Sequence, residues 1–105
     1  MSEIKNTYVD FELNNGETVK LTLTFGRLNV LKSVNNELYA RFNNVLYGKS
    51  EDMLDTTAML YVAYWCANYN GTDKLYTEQE FYDLVPFDMV EIKRVFDTLT
   101  QPKKN

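Results

Sequence analysis

The sequence predicts an α+β fold in which an N-terminal antiparallel β-hairpin packs on a bundle of about four or five α-helices with an apolar central helix. Two runs near the N-terminus alternate apolar and polar residues and are separated by Asn-Asn-Gly. Every later periodic segment repeats its apolar residues at helical spacing. One of these segments, from Thr56 to Gly71, contains no charged residue. A hairpin followed only by helices is typical of α+β proteins.

Length and composition indicate one globular domain. The chain has 105 residues, of which 45% are hydrophobic and 25% are charged, as in an ordinary folded protein. We expect a single domain over residues 1–105, with an ordered core of about 7–100 and flexible ends at 1–6 and 101–105. The N-terminal sequence MSEIKNTYVDFELNNG lacks the apolar segment of a signal peptide, so we expect no such peptide.

Charge and cysteine content exclude several classes of protein. The net charge of -4 argues against a nucleic-acid-binding protein, which carries a basic surface. The single cysteine, Cys66, rules out an internal disulfide. Because it lies within the apolar stretch, we interpret it as a small hydrophobic side chain in a protein of the reducing cytosol.

The two alternating runs predict the strands of the hairpin. The first covers residues 9–13 and reads VDFEL, and the second covers residues 19–25 and reads VKLTLTF. Alternation with β-branched residues is typical of strands that bury one face. We expect Gly26 to end the second strand.

The register of the hairpin follows from its faces. A two-residue turn would shift the pairing by one position and mix apolar with polar residues on each face. A three-residue loop that ends at Gly16, in the left-handed conformation, pairs Leu13 with Glu17 and Phe11 with Val19. This register keeps the apolar residues on one face, and we predict it.

The next segment predicts two helices with a break between them. Apolar residues follow helical spacing from Leu28 to Val34 and resume after Asn35 as far as about Tyr47. Asparagine is a poor residue inside a helix and a good N-cap, which favours a break at this point. One continuous helix is the alternative. Gly48 should end the second helix.

A third helix should span about Glu51 to Tyr69. Ser50 offers a hydroxyl N-cap, and acidic residues in the first turn suit the positive end of the helix dipole. Gly71 should terminate the segment.

Two more helices complete the chain. Thr77 and Glu80 form the pattern of a capping box, and Pro86 should close the helix that they begin. Asp88 is placed to cap the last helix, which continues to about Leu99.

The third helix is apolar on all sides and therefore needs a cover from its own fold, from lipid or from another chain. Its fully apolar run from Ala58 to Ala67 is ten residues long, whereas a helix that spans a bilayer needs about 20. We therefore expect no membrane contact. The hairpin and the flanking helices are the first candidate for the cover, because a two-stranded sheet needs a helix against its apolar face.

A partner chain is the second candidate for that cover. Large aromatic residues recur along one stripe of the third helix and continue into the fourth, and such rings are enriched at protein interfaces. The other residues of the third helix would then fill the core. The predicted partner-binding residues are Tyr61, Tyr64, Trp65, Tyr69, Phe81 and Tyr82.

The sequence offers no pattern of catalytic or metal-binding residues. The absence of histidine excludes His-based triads and His-ligated zinc, and one cysteine cannot form a thiolate site. The acidic pairs Glu51-Asp52 and Glu78/Glu80 sit at helix starts, where capping explains them. The segment DKLYTEQE lacks the spacing of an EF-hand. We predict a protein that is not an enzyme and has no catalytic residues, no cofactor and no bound metal.

Most of the chain, about residues 17–99, resembles a known family. The resemblance rests on the segments LTFGRLNVLK, ELYARFNNVLYG, LYVAYWCAN and LYTEQEFYDLVPFDMVEIKRVFDTL. Together they are similar to the tail assembly chaperones of long-tailed phages and prophages of Gram-positive bacteria. The resemblance implies a soluble protein of the bacterial host cytoplasm that is absent from the mature virion. It also implies that the protein binds the tail tape measure protein and helps to recruit tail tube subunits.

Other classes of function remain open at this point. A structural virion component, such as a head-tail connector protein, would be found in purified particles. A small acidic phage regulatory protein that mimics nucleic acid would need a continuous acidic surface. A homo-oligomer is possible in each of these classes.

Overall fold

The structure is a computed structural model that describes residues 8–48, 52–71 and 74–100. It has the predicted α+β fold, a two-stranded antiparallel hairpin followed by a helical bundle. The predicted cap Ser50, the predicted helix start at Glu51 and the chain ends lie outside the described residues. Within the described ranges the elements are β1 (Val9–Glu12), β2 (Thr18–Leu21), α1 (Phe25–Val34), α2 (Asn36–Gly48), α3 (Met53–Asn68), α4 (Glu78–Leu84) and α5 (Met89–Thr100).

The hairpin has the predicted register. Phe11 pairs with Val19, and the backbone N–H of Leu13 donates to the carbonyl of Glu17 at 2.8 Å. Gly16 adopts a φ of +89°, in the left-handed region that glycine enters without strain. The three-residue loop is therefore confirmed, and the apolar residues of both strands share the buried face.

Strand β2 ends at Leu21, so the prediction that it continues to Phe25 was wrong. Thr24 is instead the N-cap of α1, and its hydroxyl oxygen accepts a hydrogen bond from the backbone N–H of Arg27 at 3.2 Å. Phe25 is 92% exposed. Threonine is favourable both in a strand and at an N-cap. The alternation of apolar and polar residues therefore continues past Leu21, the last residue that pairs in the sheet.

Asn35 separates α1 from α2, as the two-helix interpretation predicted. Its backbone N–H donates to the carbonyl of Leu31 at 2.7 Å and ends α1. Its side-chain oxygen accepts a hydrogen bond from the backbone N–H of Leu38 at 3.1 Å and caps α2. Asn35 thus provides hydrogen-bond partners for backbone groups in the last turn of α1 and in the first turn of α2.

The later helices begin at acidic or hydroxyl caps. Asp52 caps α3 by accepting from the backbone N–H of Leu54 at 2.8 Å. The capping box of Thr77 and Glu80 at the start of α4 is confirmed in both directions. Asp88 caps α5 by accepting from the backbone of the third residue beyond it.

Helix α3 is the centre of the fold. Strand β2 and helices α1, α2, α4 and α5 all contact it, and the residues from Met59 to Cys66 are buried without interruption. The backbone N–H of Thr22 donates to the carbonyl of Ala63 at 3.1 Å, which fixes the end of β2 against the middle of α3. The chain's own elements therefore cover the apolar helix, as the first of the two explanations predicted.

Arg27 stabilises the C-terminal end of α3 from another helix. Its guanidinium donates through Nε to the carbonyl of Cys66 at 2.8 Å and through Nη2 to the carbonyl of Tyr69. The last turn of α3 carries no basic residue of its own. A cation that binds terminal carbonyls also opposes the negative end of the helix dipole.

Gly16→Val should destabilise the hairpin, because a β-branched residue is strained at positive φ. We expect the free energy of unfolding to fall by about 1 to 3 kcal/mol in urea denaturation. Gly26→Ala is the matched control, since Gly26 has ordinary φ and an added Cβ meets no atom within 4 Å. That change should leave stability equal or slightly higher. Equal midpoints for Gly16→Val and the wild type would contradict the assigned loop.

Candidate interaction surface

The aromatic residues that the sequence suggested for a partner mostly lie in the core. Tyr61, Tyr64 and Trp65 are 5% to 7% exposed, and Phe81 is fully buried. These four rings therefore do not form the outward aromatic stripe that the helical spacing suggested. Tyr69 and Tyr82 are half-buried and keep part of their rings at the surface.

The hydroxyl groups explain how two tyrosines can be buried. Tyr61 Oη donates to the carbonyl of Tyr76 at 2.9 Å, and the backbone N–H of Tyr76 donates to Tyr64 Oη at 3.0 Å. Both rings contact Phe81, with centroids 5.5 and 5.1 Å from its ring. Burial raises the pKa of Tyr61 to about 12. The backbone of Tyr76, just before α4, thus forms the hydrogen bonds that water would form with an exposed tyrosine hydroxyl.

Tyr69 covers the remaining large ring of α3. Its ring stacks on Trp65 with centroids 4.3 Å apart and planes 7° apart. The carbonyl of Tyr69 accepts a hydrogen bond from Arg27. The ring of Tyr69 therefore covers the ring of Trp65, and its carbonyl belongs to the C-terminal end of α3.

An open groove runs between α2 and α3. Its wall on α2 is a stripe at positions 38, 41, 42 and 45 together with Asn44, and its wall on α3 is a stripe at positions 55, 58, 59 and 62. Both stripes have the i, i+3, i+4, i+7 spacing of one helical face. The groove has a volume of about 240 Å³. Most of its apolar lining belongs to the core, since Leu38, Phe42, Met59 and Val62 are 1% to 6% exposed. We call it the α2–α3 groove.

Exposed apolar residues adjoin both walls of this groove in the sequence, just after Val45 on α2 and just before Asp55 on α3. Leu46 and Tyr47 lie in the last turn of α2, and Met53 and Leu54 begin α3. Tyr47 is 77% exposed and Leu54 is 72% exposed. We call these four residues the apolar tip. The sequence placed Leu46 in the apolar pattern of the second helix, but periodicity alone did not show that its side chain is exposed.

A charged cluster ties α2 to α4 beside the groove. Arg41, on the α2 wall, donates to both carboxylate oxygens of Glu78 at 2.8 and 2.6 Å. Tyr82 Oη donates to the same carboxylate at 2.5 Å. The hydrogen bonds from Arg41 hold the pKa of Glu78 below its ordinary value. Burial and the nearby Glu78 carboxylate raise the pKa of Tyr82. The cationic charge of Arg41 is thus balanced within the protein.

The described residues contain no group of three or more histidine, cysteine, aspartate or glutamate side chains that could hold a metal ion. Cys66 is buried, and burial raises the pKa of its thiol to about 12. A thiol with such a pKa is neutral at physiological pH, and the thiolate is the reactive form. This agrees with the interpretation of Cys66 as a hydrophobic core residue.

No helix in the described ranges is both long enough and apolar enough to cross a membrane. Comparisons of the chain with protein-family models, with curated proteins and with solved structures found no match.

Trp65→Ala should destabilise the fold by about 3 to 5 kcal/mol, because it leaves a cavity under Tyr69. Thermal unfolding followed by circular dichroism would measure the change. Phe87→Ala is the control, since Phe87 is 95% exposed and its truncation should change stability little. If Trp65→Ala melted at the wild-type temperature, the ring would have to lie outside the core.

Glu78→Gln should remove part of the acid dependence of stability. Because the folded pKa of Glu78 lies below its ordinary value of 4.5, its ionised form stabilises the fold above that pH. The contribution is lost as pH falls through the folded pKa. We expect Glu78→Gln to cost about 1 kcal/mol at pH 7 and progressively less below pH 4.

Urea denaturation between pH 3 and 7 tests this expectation. Glu91→Gln is a matched control, because Glu91 also binds an arginine, Arg94, but on its own exposed helix face. It should cost less than Glu78→Gln. A constant difference between Glu78→Gln and the wild type over the whole range would contradict the assigned pKa direction.

Proposed function

We propose that this protein is a non-enzymatic tail assembly chaperone of a long-tailed phage or prophage. In this proposal it binds the tail tape measure protein in the bacterial host cytoplasm and helps to recruit tail tube subunits. It does not remain in the mature virion. It uses no cofactor or metal, and it contacts neither nucleic acid nor membrane.

The observation that carries the proposal is the open α2–α3 groove with its apolar tip. The core of the fold is complete without the apolar tip, since α3 is buried from Met59 to Cys66 by the chain itself. Exposed apolar residues that adjoin a concave apolar groove are typical of protein-binding sites. A chaperone of assembly needs such a surface and needs no catalytic group.

The resemblance supports the same conclusion from the sequence. Two of the segments on which it rests, ELYARFNNVLYG and LYVAYWCAN, lie in α2 and α3. These are the helices that form the groove. The sequence resemblance and the candidate surface therefore involve the same part of the chain.

Co-expression with the tape measure protein of the same phage tests the proposal. We expect a soluble complex that elutes as one species, with the tape measure protein insoluble when it is expressed alone. Leu54→Ser should weaken the complex about tenfold, because it removes an apolar anchor from the tip. Val90→Ser is the matched control, since Val90 is 80% exposed on α5, away from the groove.

Two results would contradict the proposal. One is the absence of any complex with the tape measure protein when both proteins are folded. The other is detection of this protein in purified virions at a stoichiometric level, which would instead identify a structural component such as a head-tail connector.

A further inference from the structure

We infer that the outer edge of β1 binds an extended segment of a partner protein as a third strand of the sheet, with a lysine or arginine of that segment opposite Glu12. The site consists of the backbone groups of Asp10 and Glu12 and of the Glu12 carboxylate. It lies on the hairpin, whereas the α2–α3 groove is lined by α2 and α3. The inference therefore does not rest on the proposed function, and it concerns a partner other than the client of the groove.

The register of the hairpin determines which backbone groups of β1 face outward. Phe11 pairs with Val19, and the next alternate residue, Leu13, donates its backbone N–H across the hairpin at 2.8 Å. In an antiparallel pair, alternate residues direct their backbone groups towards the neighbouring strand and the residues between them direct theirs away. The N–H and C=O groups of Asp10 and Glu12 therefore point away from β2.

The outer edge of β2 is occupied by α3. Asn68 Nδ2 donates to the carbonyl of Lys20 at 3.0 Å, and the backbone N–H of Thr22 donates to the carbonyl of Ala63 at 3.1 Å. Lys20 and Thr22 are the outward-facing residues at this end of the second strand. A further strand therefore cannot pair there without displacing the central helix, so β1 is the edge at which one can be added.

The outer edge of β1 is open at Asp10 and Glu12. Among the described residues, no group forms a hydrogen bond with the backbone N–H or C=O of either one. The next outward-facing residue, Asn14, donates its N–H to the carbonyl of Leu84 at 2.8 Å, so the end of α4 bounds the open edge. Helix α5 also contacts β1, and both Asp10 and Glu12 remain exposed. Unpaired backbone groups at a sheet edge are the sites to which a further strand binds.

Charge indicates the chemistry of the added strand. The carboxylate of Asp10 is paired with Lys20, whose Nζ lies 2.7 Å from it. Glu12 is exposed, faces Thr18 across the hairpin and forms no ion pair within the described part of the chain. Side chains directly opposite each other on adjacent strands lie about 5 Å apart and interact. A lysine or arginine opposite Glu12 would therefore supply the ion pair that the hairpin does not.

The same carboxylates disfavour a second copy of this chain as the added strand. An antiparallel pairing of two β1 edges that uses both outward-facing residues places Asp10 of each copy opposite Glu12 of the other. Like charges directly opposite each other destabilise a sheet. Charged side chains of this kind protect an edge against self-association, and they favour a strand of opposite charge.

Two synthetic peptides test the choice of partner. Both are about eight residues long and alternate valine with threonine, and the central threonine is replaced by lysine in one and by glutamate in the other. Each is titrated into the isotope-labelled intact protein and followed by nuclear magnetic resonance. The lysine peptide should shift the amide signals of residues 9–12 and bind about fivefold more tightly than the glutamate peptide. Equal affinities, or no binding of either peptide at millimolar concentration, would overturn the inference.

Backbone methylation of the lysine peptide tests whether it binds as a strand. Two versions carry N-methyl groups on alternate residues, one on the odd positions and the other on the even positions. Only one set of N–H groups faces the edge of β1, so one version should lose binding and the other should keep it. Equal effects of the two versions would show that the peptide does not pair with the edge and would overturn the inference.

Variants of the protein test the role of Glu12. Glu12→Gln should bind the two peptides equally and keep the wild-type melting temperature, because the side chain is exposed. Glu37→Gln is the matched control, since Glu37 is an exposed carboxylate on α2, and it should keep the preference for lysine. An unchanged preference in Glu12→Gln would overturn the inference. So would a dimer of the free protein, detected by sedimentation, whose amide exchange shows protection at residues 9–12.

Discussion

The burial of the central part of α3, from Met59 to Cys66, is the constraint on which the rest of the structure depends. An apolar helix with no polar face must be covered on every side, and β2, α1, α2, α4 and α5 all contact it. Specific hydrogen bonds hold that cover in place. The backbone of Thr22 bonds to Ala63, the side chain of Asn68 bonds to the carbonyl of Lys20, and Arg27 binds the end of the helix. The hairpin is therefore stable because it is part of the cover, since two strands alone are not.

In the proposed function, one side of this fold is the binding surface. The walls of the α2–α3 groove belong to the core helix and to its neighbour. Arg41 and Glu78 fix α2 to α4 and keep that wall in position. A surface built on well-packed helices loses little freedom when a partner binds, which favours affinity. The core aromatic residues help to position α3, because Tyr61 and Tyr64 contact Phe81 of α4 and Trp65 stacks on Tyr69.

Local features of the fold were predictable from the sequence, and features set by distant contacts were not. The loop at Gly16, the break at Asn35 and the capping box at Thr77 each depend on residues within a few positions, and all three are confirmed. The burial of Tyr61 and Tyr64 depends on the backbone of Tyr76, 15 and 12 positions away. Helical spacing shows that these rings share a stripe but does not show what covers it. The groove was equally hidden, since it arises from the packing of α2 against α3.

Hydrogen-deuterium exchange of the protein alone and in complex with its client tests the central claim most directly. In the free protein, amides between Met59 and Cys66 should be the most protected, because local opening there requires loss of the whole cover. Client binding should add protection on the groove walls, around Val45 and Ala58, and leave α5 unchanged. Rapid exchange within the central part of α3 in the free protein, or added protection confined to α5 and the hairpin, would contradict the account.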